Sequence, residues 1–193
     1  MFIRNGKRFS ISQTLEENGF RFTSADLSKP DIRAFLGVTE IADPVRKNED
    51  FWYNQEIDDA PYLTTTPKSA EQIQSMLWGK IKQKRDSLQA DGYKIAGKWY
   101  HSDEKSKIQQ ITLAMMGASL PAGIQWKTMD GSFVEMTPTL AQQIFAGAAA
   151  HEQSIFAKAE FHKNAVNGLQ SIESLESYDW NAGWPESFST RQE

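Results

Sequence analysis

The sequence predicts an α+β fold: a helix–hairpin–helix–hairpin–long-helix body, a small and mostly β N-terminal part, and an extended aromatic C-terminal tail. Two patterns support this prediction. Residues 124–136 alternate apolar and polar side chains on both sides of Asp130-Gly131, a dipeptide typical of a tight hairpin turn. Thr137 and Pro138 are then a typical N-cap and first helical residue. Helical periodicity continues to Gly168, which corresponds to a helix of roughly 46 Å.

The N-terminal part, residues 1–66, is expected to contain short strands and loops. Asn5-Gly6 between two apolar runs predicts a hairpin. Pro30 begins a short helix that Gly37 ends, and residues 38–41 suit a strand. Residues 51–62 are aromatic at both ends and acidic between, and their polar content indicates a loop.

Residues 67–170 are expected to form the α+β domain. Ser69 and Gln72 make a capping box for a helix that Asp91-Gly92 ends. A hairpin with an Ala96-Gly97 turn follows, and Ser102 or Asp103 caps the next helix. Apolar residues recur at helical spacing in these two helices and in the long one: Ile73, Leu77, Ile81 and Leu88; Ile108, Ile111 and Met115; and Leu140, Ile144, Ala148, His151, Ile155 and Phe156.

Residues 171–193 form the predicted tail, which Gly183 and Pro185 keep irregular. Tryptophan and tyrosine dominate the hot spots of protein interfaces, so we predict that the tail docks on a partner; the alternative is that it folds back onto the body of this chain. We also predict that the aromatic run at residues 51–53 binds a partner. The predicted partner-binding residues are Tyr178, Trp180, Trp184, Pro185, Phe188, Phe51, Trp52 and Tyr53.

Composition limits the classes of protein that fit. The chain has 193 residues, no cysteine and a net charge of −4, which excludes thiolate metal sites and a cysteine nucleophile. Its one dense basic run, at residues 80–85, suits a solvated helix face, so we expect no nucleic-acid partner. No apolar run approaches the roughly 20 residues of a spanning helix, and the N-terminus lacks the apolar core of a signal peptide. We therefore expect neither membrane insertion nor secretion.

No catalytic, cofactor or metal site is predicted. The three histidines are His101, His151 and His162, and the last two lie roughly 16 Å apart along one helix, too far for one metal ion. Glu49-Asp50 and Asp58-Asp59 lack the alternating ligands of a calcium loop and suit a solvated loop better.

Four segments match the pattern of a known domain family: Arg85-Asp86, residues 97–103 (GKWYHSD), residues 108–111 (IQQI), and residues 126–137 (WKTMDGSFVEMT). With them, the chain from the helix at 69–90 to the end of the long helix resembles a family common in tailed bacteriophages. Genes of this family tend to lie beside tail-fibre genes, and its biochemical function is unknown. The resemblance covers about half of the chain.

The resemblance implies a non-enzymatic phage tail component that docks on the tail fibre or the baseplate, made in the host cytoplasm and carried in the virion tail. Two alternatives stay open: a tail-fibre assembly chaperone absent from the mature virion, and a tail-borne cell-wall hydrolase. No catalytic residues are implied. The long helix also needs a partner along its length, from this chain or from another copy in a homo-oligomer.

Overall fold

The computed structural model describes residues 1–56 and 63–192, and it confirms the α+β fold class. The chain divides into two compact units, Met1–Ser69 and Ala70–Glu193. Asp58-Asp59, which the sequence analysis assigned to a solvated loop, lies outside the described residues.

The first unit contains a three-stranded antiparallel sheet in the order β2 (Lys7–Phe9), β1 (Phe2–Arg4) and β5 (Thr39–Glu40). The predicted Asn5-Gly6 hairpin is confirmed, since both residues have positive φ, 50° and 76°. The predicted short helix is α2 (Pro30–Phe35), which follows the single turn α1 (Ser24–Leu27).

Two further hairpins in the first unit differ from the expectation. β3 (Leu15–Glu17) pairs with β4 (Phe20–Phe22) around Asn18-Gly19, a turn signal that the sequence analysis missed. β6 (Trp52–Glu56) pairs with β7 (Leu63–Pro67), so the loop predicted for residues 51–62 was wrong for Trp52–Glu56. The physical reason is that the aromatic side chains of β6 and the threonines of β7 favour an antiparallel strand pair. This preference outweighs the polar residues Asn54 and Gln55.

The core of the first unit is small. Leu27 is fully buried, and Leu36 and Val38 are each 6% exposed. Apolar side chains from the sheet, the β3–β4 hairpin, helix α2 and a loop pack against these three: Phe2, Phe9, Ile11, Leu15, Phe22 and Ile32.

The second unit follows the predicted order of elements. These are α3 (Ala70–Ala90), the hairpin of β8 (Tyr93–Ile95) and β9 (Lys98–Tyr100), α4 (Glu104–Met116), the hairpin of β10 (Gln125–Lys127) and β11 (Phe133–Glu135), α5 (Pro138–Gly168) and α6 (Ile172–Ser177). The Asp103 side chain accepts a hydrogen bond from the Ser106 amide, and the Thr137 side chain accepts one from Leu140, which confirms both caps. Gly131 has φ 84°, as the predicted turn requires.

The long helix α5 packs on both of the other main helices, α3 and α4. Ile73, Leu77, Ile81 and Leu88 of α3 are at most 3% exposed, so the predicted inner face of α3 is confirmed. Under α4, the core comprises Tyr93, Tyr100, Ala114, Leu120, Met136, Ala141 and Ile144. The partner that so long a helix needs is therefore supplied over much of its length by this chain.

Candidate docking surface

The aromatic side chains of the C-terminal tail pack on the second unit itself. Their centre is His162 of α5, which is 2% exposed. Its Nδ1 lies 2.7 Å from the Tyr178 hydroxyl, and its Nε2 lies 3.0 Å from the Ala182 carbonyl. Trp184 stacks on the imidazole with ring centroids 5.3 Å apart. Because a carbonyl only accepts, Nε2 carries the proton and Nδ1 accepts from Tyr178.

This arrangement favours the neutral form of His162. Burial lowers the pKa of His162, the Ala182 carbonyl opposes that shift, and Lys158 adds to it. Asp179 acts in the opposite direction to Lys158, but the net shift is downward. A neutral imidazole thus joins α5 to the tail.

Further along the tail, Phe188 makes an edge-on contact with Trp99 of β9, with centroids 6.0 Å apart. The Phe188 amide donates to the Asp91 carbonyl at 2.9 Å, and Ser189 donates to the Asp91 carboxylate through both its amide and its hydroxyl. Burial alone would raise the pKa of Asp91, but hydrogen bonds from Ser187 and Ser189 outweigh it, so the net shift is downward.

The tail therefore folds back onto the body of this chain, which is the alternative left open by the sequence. Helix α6 and the turn at Gly183, where φ is 70°, bring the chain back across α5. Trp180, Trp184 and Pro185 are half-buried, and Ser187 is fully buried. The partner-binding role predicted for the tail stays a prediction, but most of the aromatic surface on which it depended already has an intramolecular contact.

The aromatic residues predicted to bind a partner in the first unit fall into three different environments. Phe51 is only 7% exposed. The Lys47 ammonium lies 3.4 Å from the centre of the Trp52 ring. Tyr53 is half exposed, and the Lys68 ammonium lies 5.3 Å from its ring centre. These three residues therefore do not form one continuous apolar surface.

A different region of the second unit exposes apolar side chains without charge. Although 24% of the chain is charged, residues 108–126 and 136–151 contain no Asp, Glu, Lys or Arg. These two stretches form most of α4, the turn Gly117–Ser119 and the first half of α5, which pack against one another. We call the exposed apolar part of this region the uncharged face; its residues are Ile108, Ile111, Met115, Met116 and Phe145.

Large parts of these side chains contact water. Met115 is 83% exposed and Ile108 58%. The helical spacing predicted for Ile108, Ile111 and Met115 is confirmed by α4, but the side of the helix that they occupy is not the buried one.

The buried side of α4 carries Gln110 and Ala114 instead. The Gln110 side chain accepts a hydrogen bond from the Tyr93 hydroxyl and donates one to the His101 carbonyl at 3.0 Å. The small side chain of Ala114 suits the close packing of α4 against α5, and Gln142 donates to its carbonyl at 2.7 Å. These polar contacts orient α4 with its isoleucines outward.

A groove lies on each side of the α4 ridge. The larger groove, of about 580 Å³, separates α4 from β10 and is lined on its apolar side by Ile108, Leu113, Ile124 and Trp126. The smaller groove, of about 140 Å³, lies between Ile111 of α4 and Phe145 of α5. The ion pair of Lys107 with Glu152 contributes to its lining. The uncharged face is thus a ridge between two depressions.

Two groups of titratable side chains lie apart in the second unit: one contains Tyr93, Lys107, His151 and Glu152, and the other surrounds His162. Burial lowers the pKa of His151, which lies beside Tyr93, and the Lys107 charge adds to that shift against the opposing effect of Glu152. Burial also raises the pKa of Tyr93. His162 has its own separate set of partners. Over residues 1–56 and 63–192, no group of three His, Cys, Asp or Glu side chains is placed to hold a metal ion.

No helix within the described part of the chain has the length and apolar character needed to cross a membrane.

Comparison with known proteins gives one result. Neither a curated protein nor a solved structure matches the chain. A family model described as a domain of unknown function (DUF4376) matches residues 71–182, which include α3 from its second residue, both hairpins of the second unit, α4, α5 and the part of the tail that contains α6. Since this match spans more than half of the 193 residues, the chain belongs to the DUF4376 family.

Proposed function

We propose that this protein is a non-enzymatic structural component of a bacteriophage tail, which docks on the tail fibre or the baseplate as part of the host-attachment apparatus. The uncharged face of the second unit supports this proposal, because an exposed apolar surface is suited to contact another protein in an assembly.

The extent of this face supports a role in assembly. Its five large side chains are 39% to 83% exposed. Since a large buried side chain removes roughly 150–250 Å² from water, on the order of 500 Å² of apolar surface stays exposed. Patches of that size on soluble proteins are often functional. Depletion of charge together with enrichment in methionine and aromatic residues is also the composition of an interface core.

The phage assignment is supported by the resemblance of this chain to proteins encoded beside tail-fibre genes. The segments that carry the resemblance include residues 108–111 at the start of the uncharged face and residues 126–137, which lead from the β10–β11 hairpin into α5. The family itself has no assigned activity, so the assignment of this chain to a phage tail is part of the proposal.

Mass spectrometry of purified virions tests the proposal. We expect peptides of this chain in gradient-purified particles, at a constant ratio to the fibre protein and resistant to a high-salt wash. The control is a phage carrying a stop codon early in this gene, grown once without the chain and once with the chain supplied from a plasmid.

Two other results would contradict the proposal. Absence from virions, combined with misassembled fibres in the stop-codon phage, would show the assembly chaperone instead. Clearing of a cell-wall zymogram by the purified chain would show the hydrolase.

A further inference from the structure

We infer that the uncharged face is covered by a second copy of this chain, so that the protein docks on the tail as a dimer with twofold symmetry. The inference rests on the proposed function, because it treats the same face as an assembly surface. Three properties of the face favour a second copy: its shape, its charge and its area.

The shape of the face is self-complementary. Ile108, Ile111 and Met115 have the i, i+3, i+7 spacing of a helix–helix seam. They form a ridge on α4 beside the groove against β10. If two copies of α4 cross antiparallel near Ile111, Ile108 of one copy meets Met115 of the other, and each ridge reaches a groove of its partner. A twofold interface requires such a match of one patch with itself.

The charge distribution also suits a second copy. Each chain has a net charge of −4, so two copies repel at long range, and an interface with exposed carboxylates would add to that repulsion. The charges of α4 lie near its start, at Glu104, Lys105 and Lys107. In an antiparallel crossing, this end lies over the charge-free end of the other α4, where no like charge opposes it. Lys107 is paired with Glu152 of its own chain, and the exposed Lys127, which also lines the larger groove, has to keep its ammonium in water at the edge of the interface.

The area is close to what a dimer needs. The five side chains expose on the order of 500 Å² of apolar surface, and each partner in an interface of standard size contributes roughly 800 Å². Polar neighbours such as Gln109 and Thr112, which also line the larger groove, supply further area at the rim.

Sedimentation equilibrium of the full chain tests the inference. We expect a dimer for the wild type, and at least about a hundredfold weaker self-association for Ile111→Glu, which would bury an unpaired charge. The matched control is Phe35→Glu, which changes an exposed phenylalanine of the first unit that is 77% exposed. It should keep the dimer. Melting curves of both variants establish that they are folded.

Because the chain has no cysteine, single-cysteine variants provide a second readout. Thr112→Cys lies close to the expected symmetry axis, so oxidation should link two copies through it. Ser75→Cys, at an exposed position of α3, should stay unlinked under the same conditions.

A monomeric wild type at about 100 µM would overturn the dimer inference, as would a dimer that Ile111→Glu leaves intact. These outcomes are distinguishable from failure of the proposed function. A monomer found in virions, whose fibre binding is lost in Ile111→Glu, keeps the proposed function and shows that the fibre covers this face. A dimer that is absent from virions keeps the inference and overturns the function.

Discussion

The C-terminal tail and the uncharged face are both apolar regions of the second unit, and they differ in what covers them. In the tail, Trp184 stacks on His162 and Phe188 contacts Trp99, and polar groups beside them are hydrogen-bonded to the body. On the uncharged face, Ile108 and Met115 have most of their surface in water. The tail therefore contributes to folding, whereas the large side chains of the uncharged face stay exposed in the single chain.

Removing residues 178–193 should have the largest effect on stability. The deletion exposes His162 and Trp99 and takes away the partners of Asp91. Loss of several buried aromatic contacts should lower the free energy of unfolding by roughly 4 kcal/mol or more. Urea denaturation followed by circular dichroism measures this change. A truncated chain as stable as the full one would contradict a contribution of the tail to folding, and the docking role predicted from the sequence would then be the better account of its aromatic residues.

A matched pair of phenylalanine substitutions compares the two regions directly. Phe188→Ala should cost about 2 kcal/mol because it leaves Trp99 without its edge-on neighbour. Phe145→Ala, at a position that is 48% exposed, should stay within about 0.5 kcal/mol when it is measured in dilute solution. Equal costs in the two variants would mean that the two regions do not differ in their contribution to folding.

The smallest expected effect is a dependence of stability on pH through His162. Its pKa in the folded chain is lowered by burial, whereas in the unfolded chain it is near 6.5. As the pH falls through about 6.5, the His162 imidazole becomes protonated in the unfolded chain but stays neutral in the folded chain. The free energy of unfolding therefore decreases until the pH reaches the pKa of His162 in the folded chain. Above pH 7.5 this effect is absent.

Denaturation curves at pH 7.5 and 5.5 should show this loss, and His162→Gln should reduce it. His151 also has a lowered pKa, so His151→Gln is the comparison that separates the two contributions. If His162→Gln leaves the loss of stability unchanged, the histidine does not couple the tail to the body. Asp91 does not interfere, because its lowered pKa affects stability only at more acidic pH.

Much of the second unit could be predicted from the sequence because its boundaries depend on local chemistry. Asp103 and Thr137 cap their helices with their own side chains, and Gly97 and Gly131 occupy turn positions with positive φ. Such signals need only a few neighbouring residues. The β6 strand was mistaken for a loop because polar content was the signal used there, and the aromatic and β-branched side chains that pair across β6 and β7 outweigh it.

The candidate surface was harder to predict, since periodicity reveals an apolar helix face but not what covers it. The spacing of Ile108, Ile111 and Met115 is the same for a buried and an exposed face. One signal was present in the sequence: the absence of charge over residues 108–126 and 136–151. For the tail, the tryptophans predicted a contact surface but did not identify it; within this chain that surface includes His162, whose contact with the tail no local pattern predicts.

Methionine oxidation tests the central claim, that the uncharged face is open in one chain and covered by a second copy. Met115 is 83% exposed and Met136 is 1% exposed, so one chain contains both a probe and an internal reference. After brief treatment with hydrogen peroxide, peptide mass spectrometry should show rapid oxidation of Met115 in dilute protein and slow oxidation in concentrated protein, with Met136 slow in both. Oxidation of Met115 at the same rate at every concentration would contradict the claim.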